Sequence, residues 1–215
     1  MLYWVVAIVW VLALLLIAQQ CSRATLASGS NLLLNGGAEA GPGSPDGTKV
    51  MRAPGWNATG LFNVVRYGAG EFPGPDVPGP ANRGRNFFAG GPDGNVSTVT
   101  QVVDVSNRAR AIDAKDAECQ LSGYLGGYGE QNDNAVLTAE FQGAASQKLG
   151  AVAIGPVLAA DRNRATGFVL RTASAPVPPG TRRIAVTLTM TRTEGTSNDG
   201  YADNLSLTLT NSAPK

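Results

Sequence analysis

Two segments at opposite ends of this chain, NLLLNGGAEAG at 31–41 and SNDGYADNLSLTL at 197–209, each set an acidic residue beside a strand-like run. A β-sandwich that closes its first strand against its last has that layout. The pair therefore predicts that the two extremities meet as neighbours in one antiparallel fold.

The stretch between them supports the same class. From residue 60 onward, short β-rich runs with alternating apolar positions are separated by Gly, Pro, Asn and Asp, which favours an antiparallel sandwich over a helical or parallel α/β fold. The clearest runs are 62–68, 85–90, 97–105, 119–129, 134–143, 150–157, 166–173, 182–193 and 201–210; with the opening NLLLN they make about ten strands. In RRIAVTLTMTRT, Ile184, Val186, Leu188 and Met190 share one face and Thr187, Thr189 and Thr191 the other, so one face is core and one is wet. Only 106–118 has a helical stripe, a thin one, and predicts a short surface helix or turn. The stretch 68–84 carries four Pro and five Gly, which no strand interior tolerates, and predicts a long ordered loop near one end of the sandwich. Asp46, Asp93 and Asp199 each precede Gly and predict tight turns.

Residues 1–27 stand apart. Positions 2–18 carry no charge and small residues follow at Ser22, Ala24 and Ala27, the layout of a signal peptide cleaved near Ala24 or Ala27. An uncleaved membrane anchor through 2–18, or a lipidated Cys21, are the other readings of the same segment. Export to the outside or the cell surface is expected. The remainder, 28–210, has the size of one domain, with 211–215 as a frayed tail. Arg23 is the only charged residue of the leader, so the rest of the chain balances 16 basic against 16 acidic residues. It has no basic footprint for nucleic acid. Cys119 is the only cysteine after the leader, so an intrachain disulfide is excluded there, and a buried thiol is expected.

The two terminal segments resemble the opening and closing strands of galactose-binding-like jelly-roll domains, including several carbohydrate-binding module families. PGW at 54–56, RNFFAGG at 85–91, VTQVVDV at 99–105 and PPGTRRIAVTLTMTR at 178–192 fall in the corresponding order. The resemblance implies an all-β fold, a two-sheet antiparallel jelly-roll β-sandwich. It also implies a structural Ca²⁺ held by Glu39 and Asp203, with the turn after Asp46 (Gly47, Thr48, Lys49) adding carbonyl oxygens. Two positions depart from the pattern: Ala38 stands where an aromatic often precedes the acid, and Asn204 replaces a second acid. Taken without the resemblance, their spacing favours Glu39 as a solvated carboxylate and Asp203 as a turn former.

A carbohydrate-binding module recognises sugars by stacking aromatic faces on C–H surfaces while polar side chains address hydroxyls. Tyr124 and Tyr128, four apart among glycines in LSGYLGGYGE, are expected on one face and form the best aromatic platform in the sequence, with Tyr67, Arg66, Asn132 and Asp133 at its edge. Trp56 and Tyr201 are further aromatic candidates, Trp56 more in keeping with a core anchor. Adjacent Phe87 and Phe88 must point to opposite sides of a strand, one into the core and the other to a surface or second layer.

Catalytic patterns are lacking. With no His anywhere, the Ser-His-Asp and Cys-His arrangements are excluded, and no Gly-rich phosphate loop is present. Asp113, Asp116, Glu118, Glu130 and Asp133 fit a solvated face better than a glycosidase pair. The sequence thus points to an exported, non-catalytic binding module for carbohydrate or a cell-surface polymer, braced by Ca²⁺. The alternative is a structural or adhesive surface protein that makes protein contacts and has no sugar site.

Overall fold

The computed structural model describes residues 29–211; positions 1–28 and 212–215, and with them the leader and most of the expected tail, lie outside the described residues. The strands run in chain order as β1 Asn57–Thr59, β2 Asn63–Arg66, β3 Asn86–Gly91, β4 Val96–Asp104, β5 Ala117–Gly127, β6 Asn134–Gln142, β7 Lys148–Ile154, β8 Gly167–Pro176, β9 Arg183–Thr191 and β10 Asn198–Asn211. A 3-10 turn at Ser106–Arg108 leads into a short α-helix, α1, Ala109–Asp113. Among the described residues no helix is long and apolar enough to cross a membrane.

The strands form two five-stranded sheets: sheet I in the order β1-β4-β9-β6-β7 and sheet II in the order β2-β3-β10-β5-β8. Every ladder between named strands is antiparallel. Without the short edge strands β1 and β2, the other eight pair as β4-β9-β6-β7 and β3-β10-β5-β8, the double Greek key of a jelly roll. The expected fold class is the one observed.

Strict alternation builds the core between the sheets. Leu121 and Leu125 of β5, Leu137 and Phe141 of β6, Ile184, Val186, Leu188 and Met190 of β9, and Leu205, Leu207 and Leu209 of β10 are at most 1% exposed. The intervening threonines of β9 face out, as their period of two requires. Cys119 sits in this core with no disulfide partner, and burial pushes its thiol up to about 12.

The chain ends do meet, but by a different device from the one expected. NLLLN forms no strand; it runs beside β10 and is clipped there by the Asn31 side chain, which donates to Leu205 O at 2.9 Å and accepts from Leu207 N at 3.0 Å. The backbone adds Leu32 N to Leu207 O at 2.8 Å and Leu205 N to Gly36 O at 2.9 Å. The reason lies in β10 itself. Its ladder with β3 ends at Ala202, so the edge beyond is open for the N-terminal segment to satisfy. Two other expectations shift. The helical stripe contracts to α1, because residues from Ala117 onward are drawn into β5. Asp199-Gly200 is not a turn between strands but part of a register shift inside β10, between Asn198 and Tyr201.

The 68–84 loop is ordered and has a core of its own. Phe88 packs in the main core, while Phe87, on the opposite side of β3, joins Val65, Ala89, Phe168 and Tyr201 in a second apolar layer on the outer face of sheet II. Ala69, Phe72 and Val77 of the loop cover that layer. Arg83 holds the loop in shape by donating to the carbonyls of Pro80, Gly74 and Val77 at 3.1, 3.3 and 3.0 Å. Pro78 O accepts from Phe168 N at 2.8 Å, tying the loop to the start of β8.

Candidate functional site

The loop that covers sheet II leaves a groove on either side of it. Groove A, about 700 Å³, lies between the 39–43 segment, the start of β3 and the loop, and is lined by Glu39, Arg66, Tyr67, Pro75, Arg85 and Asn86 among others. Its floor is made by one carboxylate. Glu39 Oε1 accepts from both Arg85 N and Asn86 N at 2.8 Å. The Asn86 amide returns two hydrogen bonds, to Ala38 O at 3.1 Å and Gly41 O at 3.2 Å. Glycine is required where these segments touch: a Cβ on Gly43 would stand 2.3 Å from Asn86 Oδ1.

Tyr67 closes the inner end of groove A. Its hydroxyl donates to Asp203 Oδ2 at 2.7 Å, its ring lies 4.9 Å from Phe87, and the Arg83 guanidinium sits 5.2 Å above the ring centroid. Burial and the Asp203 carboxylate hold the phenol proton well above its ordinary range. Asp203 is fully buried, and desolvation raises its carboxyl to about 7, against the lowering effect of the Tyr67 hydroxyl and the Asn204 amide.

Groove B, about 480 Å³, lies on the other side of the loop and is lined by Asp46, Glu71, Phe72, Tyr128, Gln131 and Asp199, with the 195–197 turn as a wall. Buried polar groups fix its walls. Asp133 is 0% exposed; Oδ1 accepts from Thr193 N, Thr193 Oγ1 and Glu194 N at 2.6, 3.1 and 3.0 Å, and Oδ2 from Asp199 N at 2.9 Å. Arg162 donates to the carbonyls of Gly129, Ala165 and Gln131 and so holds the loop after β5. Tyr201 donates to Asp199 Oδ1 at 2.8 Å, and desolvation raises the Asp199 carboxyl above its ordinary value of 3.8. Glu71 has no hydrogen-bond or ion-pair partner among the described residues, and Gln131 Oε1 is buried with none. Past the loop, the outer face of sheet II is a hydroxyl surface of Gln120, Ser122, Thr172, Ser174, Ser206 and Thr208, without a ring or a charge to anchor a ligand.

The structure divides the residues expected to bind ligand. Tyr67 and Arg66 share groove A, and Tyr128 lines groove B. Tyr124 lines neither groove, but its ring and that of Tyr128 pack against the same apolar layer on the outer face of sheet II, as their spacing of four predicts. β5 ends at Gly127, and Tyr128, one residue beyond it, keeps the face of Tyr124. Asp133 is buried and saturated, so no ligand reaches it. Asn132 is tied to its own loops, with Oδ1 accepting from Ala159 N at 3.2 Å. Glu71, Phe72, Gln131 and Arg162 had no site signal in the sequence, except that Phe72 is the one aromatic in the Pro/Gly-rich loop and such a residue is a natural anchor.

Solved structures with a related fold include the enzymatically active domain of a bacteriophage CBA120 tailspike protein, at 15% identity and a TM-score of 0.49 over 84% of this chain, which spans only 21% of that one. A Family 16 Carbohydrate Binding Module-2 shares 17% identity at a TM-score of 0.49, covering 82% of this chain and 99% of the module. The CBM22-1 xylan-binding domain of Paenibacillus barcinonensis Xyn10C shares 13% identity at a TM-score of 0.39, covering 78% and 93%. No protein-family profile matches the chain, and no curated protein does. Likenesses of this strength assign neither ligand nor activity.

Of the acids named with the Ca²⁺ site, Asp46 stands apart from Glu39. Among the described residues no three Asp, Glu, Cys or His side chains gather as metal ligands. Asp46 stands on groove B and Glu39 on groove A, and Asp46 Oδ1 already accepts from Thr48 N, Thr48 Oγ1 and Ser44 Oγ. Glu39 and Asp203 are different: the charge of Glu39 contributes to raising the Asp203 carboxyl, and no cationic side chain pairs with Asp203 among the described residues. Glu39 Oε2 meets only the Arg85 Nε at 3.5 Å. Two such carboxylates fit the anionic part of a hard-cation site whose other ligands are backbone carbonyls.

Proposed function

We propose that this domain is an exported, non-catalytic glycan-binding module that takes its ligand in groove B. The observation that carries the reading is the joint presence there of two partly exposed rings, Tyr128 and Phe72, with the exposed carboxylate of Glu71, which has no protein donor among the described residues. Rings offer a surface to sugar C–H groups, and carboxylate and amide oxygens accept from sugar hydroxyls, the balance of apolar wall and few polar groups found in small-molecule sites.

Absence of catalysis agrees with the chemistry available. The chain has no His. Asp113, one of the acids considered for hydrolysis, is ion-paired with Arg182 at 2.7 Å on the surface, and Asp133 is sealed inside. Ca²⁺, when bound by Glu39 and Asp203, would neutralise a buried charge and brace the N-terminal segment against β10; it takes no part in ligand contact in groove B. Export rests on the uncharged 2–18 run. The alternative of protein contacts through a sheet edge is opposed at β8, the long edge strand of sheet II, which carries Arg171 ion-paired with Asp161 and ends at Pro176, both edge-blunting features.

Titration with a panel of neutral oligosaccharides tests the proposal. Wild-type protein is expected to bind at least one of them, and Tyr128→Ala to weaken it on the order of tenfold, the loss of one stacked ring. Binding unchanged by Tyr128→Ala, or none across the panel, overturns it.

A further inference from the structure

Groove A has the opposite charge to groove B, and its arginines have no part in the neutral-glycan site proposed above. We infer that groove A binds the carboxylate of an acidic sugar, a uronic acid unit, through Arg66 and Arg85. The inference rests on the reading of the chain as a glycan-binding module.

The two guanidinium groups are available. Arg66 is exposed at the end of β2 and has no side-chain hydrogen bond or ion pair among the described residues. Arg85 is 81% exposed in its side chain, and its only ionic contact is the long 3.5 Å approach to Glu39 Oε2. The main engagement of Glu39 lies elsewhere, in the two amide hydrogen bonds of its Oε1, so it does not neutralise either arginine at close range. Arg83 is a useful contrast: with three carbonyls as partners and its plane over Tyr67, it is a structural clamp. Among the residues lining groove A, Arg66 is thus the cation without a partner among the described residues and Arg85 the one held only by a single long contact through its Nε to Glu39, and the guanidinium fork matches a carboxylate in two parallel hydrogen bonds.

The rest of the groove suits a sugar ring carrying that carboxylate. Pro42, Pro75 and part of Tyr67 supply apolar wall, while Gly41, Gly43 and Gly84 keep the cleft open to the backbone. Groove B, with Asp46, Glu71 and Asp199 and no lining cation, repels the same group. An acidic sugar is therefore steered to groove A, and a neutral one has no such preference.

The test compares short oligogalacturonate with its fully methyl-esterified form, which keeps the ring and removes the charge. Calorimetry on the full domain is expected to show binding of the acid, at least about tenfold weaker binding of the ester, and a similar loss in Arg66→Gln/Arg85→Gln. Raising the salt concentration should weaken the acid and leave the ester unchanged. Equal binding of acid and ester, or acid binding that survives the double substitution, overturns the inference. The Tyr128→Ala arm separates the two claims. Neutral-glycan binding that depends on Tyr128 alongside a silent groove A leaves the glycan reading standing and removes only the uronate. Both exposed arginines lie outside the core, and an unchanged unfolding midpoint verifies that the double variant is folded.

Discussion

Tyr67 donates its phenolic hydrogen to Asp203 at 2.7 Å, joining residues 136 positions apart and linking groove A to the buried end of β10. Asp203 has one other donor, the Asn204 amide at 2.7 Å, so the phenol supplies half of its hydrogen bonding. Tyr67→Phe keeps the ring in the second layer and strands the carboxylate. It is expected to lower unfolding free energy by roughly 1–3 kcal/mol, measured by urea denaturation in the presence of a chelator. A change within experimental error would mean that Asp203 is satisfied without Tyr67.

Phe87 and Phe88 make a second test, because both are 0% exposed although they face opposite ways. Phe87 meets Tyr67, Phe72, Phe168 and Tyr201 at centroid distances of 4.9, 6.2, 5.6 and 5.3 Å, so its burial depends on the 68–84 loop. If the loop is as firmly placed as the sheets, Phe87→Ala costs about the same as Phe88→Ala, roughly 3–5 kcal/mol for either. A much smaller cost for Phe87→Ala, with faster proteolysis inside 68–84, would show that the loop opens independently of the sandwich.

These residues also mark how far the sequence could be read. Period-two alternation in β9 identified its core face, because side chains on a strand are placed by backbone geometry alone. The ladders between β3 and β10 and between β4 and β9 required only that such faces be paired. Loop 68–84 was legible as ordered and long. That Phe72 would bury itself on Phe87 was not, because contacts made by an irregular backbone have no period. Strand parity did place Tyr124 and Tyr128 on one face, against the loop-covered layer of sheet II. Asp133 looked like a polar group at a loop, yet its four donors come from 193–199, a distance along the chain that no local pattern reports.

The Ca²⁺ proposal has a discriminating pair of variants. With Glu39 and Asp203 as the anionic ligands, millimolar Ca²⁺ is expected to raise the thermal midpoint relative to a chelated sample, a stabilisation of about 2.7 kcal/mol if free metal exceeds Kd a hundredfold. Glu39→Gln should abolish that response, and Asp46→Asn should keep it, since Asp46 faces the other groove. Identical midpoints with and without chelator would remove the metal from the account, and a response lost in Asp46→Asn would contradict the division of the acids.

Asp133 organises groove B without touching its contents, so its loss should act on binding through stability of the wall. In Asp133→Asn one oxygen becomes a donor that faces another donor, either the Asp199 amide or the Thr193 and Glu194 pair. The expected cost is roughly 1.5–3 kcal/mol, with weakened binding in groove B and unchanged binding in groove A. Equal weakening in both grooves would show a global loss of structure rather than a local one.

Asp199 predicts a pH dependence with a definite sign. Its carboxyl is raised above 3.8 by desolvation first and by the nearby charge of Asp133, only partly offset by the Tyr201 hydroxyl. Between the unfolded and folded values the folded state therefore holds more protons than the unfolded one, and stability must fall as pH rises through that window. The contribution is fully present below 3.8 and is lost as pH passes the raised folded value. Asp199→Asn carries a permanently neutral side chain of the same shape, so the difference in unfolding free energy between wild type and variant should drift in favour of the variant as pH increases from about 4 toward neutrality. Denaturant melts of both proteins at several pH values measure it. A difference that stays flat, or that drifts toward wild type, would mean that the Tyr201 hydrogen bond outweighs burial and that the carboxylate is ready to accept from a sugar hydroxyl across the whole range.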